Sequence, residues 1–346
     1  MPAVAIGLMA DRVGRRRILL FSIVGYTAMT AATALAPDAR SFVAFQFLAR
    51  MFMTVEFGLG FIIIVEEFRS QHRGWGIAVL GTLAAFGVGL SMILFGNIEH
   101  IPYGWRGLYA LGLGPLILLA YFRRRLPETR RFETLKREDA SFAKDGWLRP
   151  IRALVRDYPG RFTAVAFVGF FWSASNGSVD FFLPKYCQEV LGWTPGHFAR
   201  VAIIAGGVGL TGQLIAGWLS DRYGRKPNAI VFLLAEPVLA IALYSTVGAP
   251  VIMLYTTWVF ASVAADVAGR TYGAELFPTS ARATAGAALG IVGTLGGVLG
   301  LAAESLLFAP IGNHWLPVRL IAATGLVIPL VIFFHYPETS GKRLED

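Results

Sequence analysis

The chain has 346 residues, of which 55% are hydrophobic and only 15% charged, and its mean hydropathy is +0.58. A water-soluble domain carries about a quarter charged residues, so this balance excludes a soluble globule and points to a chain solvated by lipid. The net charge of +9 would suit a nucleic-acid partner. However, most of the Lys and Arg fall on one side of the apolar segments, which is the positive-inside pattern of a membrane protein.

Apolar segments near bilayer-crossing length, roughly 20 residues, are expected at 18–36, 41–64, 75–97 and 104–122. A charged stretch interrupts them, and they resume at 161–183, 196–219, 228–247, 250–269, 283–306 and 316–336. Ten is an even number, so the tail Pro337–Asp346 lies on the same side as Arg12–Arg17, the cytoplasm. The domains read as an incomplete N-terminal helical bundle over 1–122, a cytoplasmic linker over 123–160, and a C-terminal bundle with its tail over 161–346. In the linker, Arg123, Arg124, Arg125, Arg130, Arg131, Lys136 and Arg137 alternate with Glu128, Glu133, Glu138 and Asp139. It reads as a partly helical, solvated segment near the lipid surface rather than a specific partner site. The opening run Pro2–Ala10 is too short for a secretory leader, and its arginines follow it. Cys187 is the one cysteine, so no internal disulfide forms, and no Cys/His cluster offers a metal site.

Two short strings between spans repeat at an offset of 210 residues. The first holds Gly7, Asp11, Arg12, Gly14 and Arg15, and the second Gly217, Asp221, Arg222, Gly224 and Arg225. Each reads as a basic turn between two membrane helices. Its first glycine allows close helix approach, its second a tight reversal, and its arginines stay among cytoplasmic headgroups. The same offset relates Pro127-Glu128-Thr129 to Pro337-Glu338-Thr339, Trp105 to Trp315, and Glu56 to Asp266. Glu66-Glu67-Phe68 with Arg73 returns, one residue closer, as Glu275-Leu276-Phe277 with Arg282.

This duplicated Gly-x-x-x-Asp-Arg-x-Gly-Arg string resembles the major facilitator superfamily, in the loops between helices 2 and 3 and between helices 8 and 9. The resemblance covers essentially the whole chain. It implies an all-α membrane protein of two six-helix bundles, related by an axis along the membrane normal. Residues 161–216 form two spans before the second string, whereas only Met1–Ile6 precede the first. Helix 1 and most of helix 2 are therefore expected to be missing, through a misassigned start codon or a truncated gene. The Pro-Glu-Thr and Glu-x-Phe…Arg segments resemble the sugar porter and metabolite:proton symporter branches. The Gln-Gln-x-x-Gly signature of hexose carriers does not occur in Gly169–Phe182, so a hexose substrate is not expected.

The resemblance further implies that Asp11 and Asp221 approach helix N-termini of the opposite half, where the helix dipole favours a carboxylate by about 0.3–1 kcal/mol. That would bias the gate outward-open, with Glu128 and Glu338 as companion acids to the loop arginines. Charges that merely fix topology are the plainer reading. Within the spans, Arg50, Glu56 and Asp266 are ionisable, and each charge at mid-bilayer costs about 2.5–3.5 kcal/mol on insertion scales. Arg50 and Glu56 lie roughly 9 Å apart along the helix and about 120° around it, so their partners come from other helices or a cavity. Proton coupling by Glu56 or Asp266, with Arg50 holding a substrate carboxylate, competes with a structural buried pair. Asn176, Asp180 and Trp172 are candidate cavity residues, as is Trp258 with Tyr255 for a ring-shaped substrate, although packing explains such aromatics as readily. Glu236 and Glu304 lie in spans without an assigned role. The glycines of 286–300 read as a packing surface, not a phosphate loop.

No nucleophile–base pair, metal spacing or dinucleotide fingerprint appears in the sequence, so neither an enzyme nor a cofactor is expected. The expected function is secondary active transport in the inner membrane, taking up a small organic acid with protons. Proton-driven efflux of drugs or metabolites is the alternative, and a non-transporting membrane protein or sensor is the alternative of another class. The expected partners are the small-molecule substrate, protons and membrane lipids, with no nucleic acid, and the chain is expected to be a monomer.

Overall fold

The structure is a computed structural model and describes residues 15–67, 73–124, 148–277 and 279–339. It is all-α among the described residues. The helices are α1 (Arg15–Ala34), α2 (Ala39–Glu67), α3 (Arg73–Gly96), α4 (Trp105–Arg123), α5 (Leu148–Asp157) and α6 (Pro159–Glu189). They continue as α7 (Pro195–Tyr223), α8 (Arg225–Leu243), α9 (Pro250–Glu275), α10 (Thr279–Ile311), α11 (Trp315–Thr324) and α12 (Ile328–His335). Each of the ten expected spans coincides with one helix, except that 316–336 is α11 and α12 in series. Eight described segments are long and apolar enough to cross a membrane. Two further helices carry polar and ionisable residues within their spans: Gln46, Arg50 and Glu56 on α2, and Asn176 and Asp180 on α6. The chain forms two compact units, Met1–Trp147 and Leu148–Asp346.

In the first unit the turn into α2 follows from sequence. Pro37 cannot continue α1, and Asp38 starts α2 by accepting from the Ser41 backbone N–H at 2.8 Å. The Ser41 hydroxyl donates in return to the Asp38 carbonyl at 2.9 Å. α1 packs on α2 with Gly25 beneath the Phe52 ring, where an added Cβ would lie 2.6 Å from the ring edge. Ile18, Leu19, Val55 and Leu59 form the buried core of this pair. Along Val79–Gly96 no part of α3 is buried.

In the second unit α6 and α10 pack through the glycine run. A Cβ on Gly300 would lie 2.7 Å from the Ala174 carbonyl, and one on Gly293 3.0 Å from the Ser173 hydroxyl. α7 meets α9 in the same way at Gly209 and Gly212, the latter with its missing Cβ 2.6 Å from the Phe260 carbonyl. Close backbone approach through small residues is how helices associate where lipid removes the hydrophobic drive. α7 begins with Thr194 accepting from the His197 N–H at 3.2 Å and with Pro195 at its first position. The last span breaks at Gly325–Val327, one turn of 3₁₀ helix, before Pro329 opens α12. α8 carries Pro237, which lacks the N–H that would bond the Leu233 carbonyl. The two breaks touch: a Cβ on Gly325 would sit 3.2 Å from the Pro237 ring.

Candidate functional site

The second motif forms a closed polar cluster at the α7–α8 turn. Gly224 reverses the chain with φ of 102°, a conformation that side chains resist. A Cβ there would also lie 2.8 Å from the Glu338 carboxylate. That carboxylate accepts from the backbone N–H of Arg225 at 2.9 Å and of Lys226 at 3.1 Å, so it caps the start of α8. Glu338, expected as a companion acid to the loop arginines, meets the backbone N–H of one of them, Arg225. The Arg225 guanidinium turns instead to Glu275, with Nε 3.2 Å from Oε1, and to Asp221 at 2.6 Å and Ser220 at 2.9 Å. Thr339 closes the ring by donating to Glu275 at 2.7 Å. Beside it, burial and the Glu338 and Glu275 carboxylates push the Tyr272 phenol above its ordinary value, while its hydroxyl donates to the Pro337 carbonyl.

Gly217 departs from expectation. Among the described residues no atom lies within 4 Å of where its Cβ would be, and the close approach to α9 occurs earlier on the helix, at Gly209 and Gly212. Spacing along a helix does not state which way a position faces. Arg222 lies over the rings of Trp218 and Tyr223, at 5.2 and 5.7 Å. Of the first motif, Gly7, Asp11, Arg12 and Gly14 lie outside the described residues, as does Glu128, and Arg15 opens α1.

The interior of the second unit gathers residues that the sequence nominated separately. Glu236 on α8 is buried, and its Oε1 accepts from the Trp258 indole at 3.1 Å and from the Asn176 amide at 3.4 Å. Asn176 also donates to Ser262 at 2.7 Å. Trp258 and Ser262 stand one turn apart on α9 and so share a face. Trp172, one turn before Asn176 on α6, keeps a buried indole N–H without a hydrogen-bond partner among the described residues. Asp180 is exposed on α6, and Asp266 is half-buried on α9, two turns beyond Trp258. Glu236 had no role in the sequence reading. The signal that could have found it is an acid beside a proline inside a span.

The far end of this unit holds a second chain of polar groups. The buried Glu304 lies 2.6 Å from His314 Nδ1, and His314 Nε2 lies 2.8 Å from Lys185 Nζ. Lysine only donates, so Nε2 accepts and Nδ1–H points to Glu304. Phe182 and Phe308 stack on the two sides of the imidazole, with centroids 4.9 and 4.3 Å away.

In the first unit Glu56 is engaged at both oxygens. Ser22 on α1 donates to Oε1 at 2.5 Å, and Arg123 at the end of α4 pairs with Oε2. The arginine read as the start of the linker thus ties α4 to α2. Arg50 is exposed on α2, and its guanidinium has no ion pair among the described residues. It lies within electrostatic reach of Tyr109. Tyr109 lines a cavity of about 560 Å³ with Phe42, Phe95, Ile98, Trp105 and Leu108. Among the described residues no cluster of His, Cys, Asp and Glu could hold a metal.

A sequence profile of the Major Facilitator Superfamily matches residues 3–301 and 206–346. A Haemophilus influenzae protein named for metabolite transport is 28% identical, over 98% of this chain and 84% of its own length. The 4-hydroxybenzoate transporter PcaK of Acinetobacter baylyi is 26% identical, over 94% of this chain and 77% of its own. The inward-open xylose transporter XylE of Escherichia coli shares the fold, with a TM-score of 0.74 at 18% identity, over 99% of this chain and 84% of its own.

Proposed function

The chain belongs to the major facilitator superfamily, and from that premise we propose that it takes up a small organic acid, aromatic acids first, together with protons. The family sets the coarser statement: a multi-pass membrane carrier, not an enzyme, that moves small organic molecules by alternating access. It lies close to the sugar porter and metabolite:proton symporter branches. Rocking one bundle against another around a midplane site is the mechanism such duplicated folds support.

One observation carries the choice of an acid: Arg50 is a guanidinium inside a span, with no carboxylate facing it among the described residues. A cation is retained at that cost where it serves a pathway or a ligand, and the planar guanidinium matches a carboxylate bidentately. The name of the 4-hydroxybenzoate transporter among the relatives supports the same class. Symport of one proton with one carboxylate also leaves no net charge to move across the bilayer. Glu56, held by Ser22 and Arg123, joins α1, α2 and α4 as a clamp, and Asp266 is the carboxylate of equivalent position in the other half. Asp11 and Asp221 act at the gate, with the basic turns and the C-terminal tail on the cytoplasmic side and the monomer as the working unit.

The test uses right-side-out membrane vesicles and labelled 4-hydroxybenzoate. An inside-alkaline gradient should drive accumulation. Arg50→Ala should lower uptake by about 10–100-fold, the worth of a hydrogen bond to a charged group of about 1.5–3 kcal/mol. Export driven by the proton gradient would make this an efflux carrier, and undiminished uptake by Arg50→Ala would remove the carboxylate role.

A further inference from the structure

We infer that Glu236 is the proton-carrying carboxyl of the second unit, held for that purpose by Trp258 and Asn176; the inference deepens the proton-coupled reading above and rests on it. Glu236 is 1% exposed, on the span α8. Both of its donors, the Trp258 indole and the Asn176 amide, are neutral and converge on Oε1. No donor reaches Oε2 among the described residues, and no cation among them pairs with the group.

Among the described residues, the charged groups on the packed elements make their contacts elsewhere. On α6, Asp180 is exposed, one turn past Asn176. On α9, Tyr255 stacks between Phe198 and Trp258, and Asp266 stands two turns beyond Trp258. The cations of α7, Arg200 and Arg222, lie toward its two ends. On α11, Arg319 bonds the Trp315 carbonyl and the Ser245 hydroxyl, and His335 ends α12. None of these hydrogen-bonds or ion-pairs with Glu236.

A buried carboxylate without a counter-charge is costly, and such a group is neutralised by a proton instead. With Oε1 fixed as acceptor, the proton sits on Oε2. Release is a plain ionisation: the O–H bond at Oε2 breaks, the proton passes to water, and the carboxylate keeps the electron pair. That step requires water at Oε2, and the two helix breaks lie beside it. Pro237 follows Glu236 directly, and Gly325, which opens the 3₁₀ turn between α11 and α12, lies against the Pro237 ring. Bending at these breaks hydrates or dries the carboxyl without disturbing the glycine-packed helix pairs.

The test reconstitutes the full chain in phospholipid vesicles. Infrared difference spectra between low and high pH should show the carbonyl band of a protonated carboxyl in the wild type, absent from Glu236→Gln. In the same vesicles Glu236→Gln should still exchange 4-hydroxybenzoate without a gradient while losing accumulation under an inside-alkaline gradient. Glu236→Asp should restore part of the accumulation with a displaced pH profile. A carboxyl band unchanged in Glu236→Gln overturns the assignment, as does full accumulation by that variant. Absence of gradient-dependent transport in the wild type would instead sink the proton-coupled reading, and the infrared comparison would still decide Glu236.

Discussion

The cluster at the α7–α8 turn makes a prediction that separates two ways a carboxylate can serve an arginine. If Glu338 acts on the backbone, Glu338→Ala strips acceptors from two N–H groups at the start of α8. Losing a helix cap costs about 0.5–2 kcal/mol, and removing a negative charge from a helix N-terminus costs about 0.3–1 kcal/mol more. A total of about 1–3 kcal/mol should lower the midpoint by about 2–4 °C per kcal/mol in a unit of this size. Cys187 is the one thiol and is fully buried in the same unit, so its reaction with a thiol-specific dye reports the unfolding directly.

The discriminating measurement is a double-mutant cycle. Arg225→Ala removes the guanidinium and keeps the N–H, so Glu338→Ala should cost nearly the same in either background, with coupling below about 0.5 kcal/mol. Glu275 should behave oppositely. The Arg225 guanidinium lies 3.2 and 3.3 Å from its oxygens, and directly contacting pairs couple by about 0.5–3 kcal/mol. A strong Glu338–Arg225 coupling, or a Glu338→Ala protein as stable as wild type, would refute the backbone cap.

Three other outcomes follow from the geometry. Gly300→Ala should destabilise by about 1–3 kcal/mol through overpacking against the Ala174 carbonyl, whereas Gly297→Ala, whose nearest neighbour is 3.8 Å away, should be close to neutral in the same dye-based melt. Arg123→Ala should destabilise the first unit by leaving Glu56 uncompensated, by less than the about 3–5 kcal/mol of a fully buried pair, since the side chains keep 19% and 11% exposure. Glu56→Gln with Arg123→Gln should recover much of that loss in thermal aggregation of the detergent-solubilised chain. Finally, the Ser41 N–H holds the Asp38 carboxyl below its ordinary value. The contribution of this cap is therefore complete above the unfolded carboxyl's range and is lost as pH falls through the lowered folded value. Hydrogen exchange at the Ser41 amide should show protection disappearing only in that acid window, and at every pH in Asp38→Ala.

The architecture was legible because lipid imposes few solutions. Span length, the sidedness of Lys and Arg, and the 210-residue repeat each report a constraint carried by many residues at once. What stayed hidden depends on rotation about a helix axis or on residues distant in sequence. Gly217 belongs to the repeated motif, yet the glycines that meet α9 are Gly209 and Gly212. The repeat singled out Glu338 but could not say that it meets the backbone at the start of α8. The repeat also misled for the interior acid: the position matching Glu236 in the first half is Tyr26, so no duplicated carboxylate drew attention to it. Lys185, Glu304 and His314 form one chain of contacts only because α6, α10 and the turn before α11 converge.

These contacts divide the second unit into rigid ends and a deformable middle. At one end Glu338, Arg225, Glu275 and Thr339 tie the turn before α8 to α9 and to the segment after α12. At the other, the Glu304–His314–Lys185 chain ties α10 to α6, with aromatic rings on both sides of the imidazole. Between them, α8 lacks a backbone bond at Pro237, and the last span changes to 3₁₀ geometry at Gly325. Bending of a helix concentrates where its hydrogen-bond ladder is interrupted, so deformation of this unit falls at the level of Glu236, Asn176 and Trp258. A carboxyl placed there senses bending through its access to water, whereas one in either clamp would not. That physical difference is why the interior acid, rather than the motif acids, is the place where proton occupancy and helix geometry become one variable.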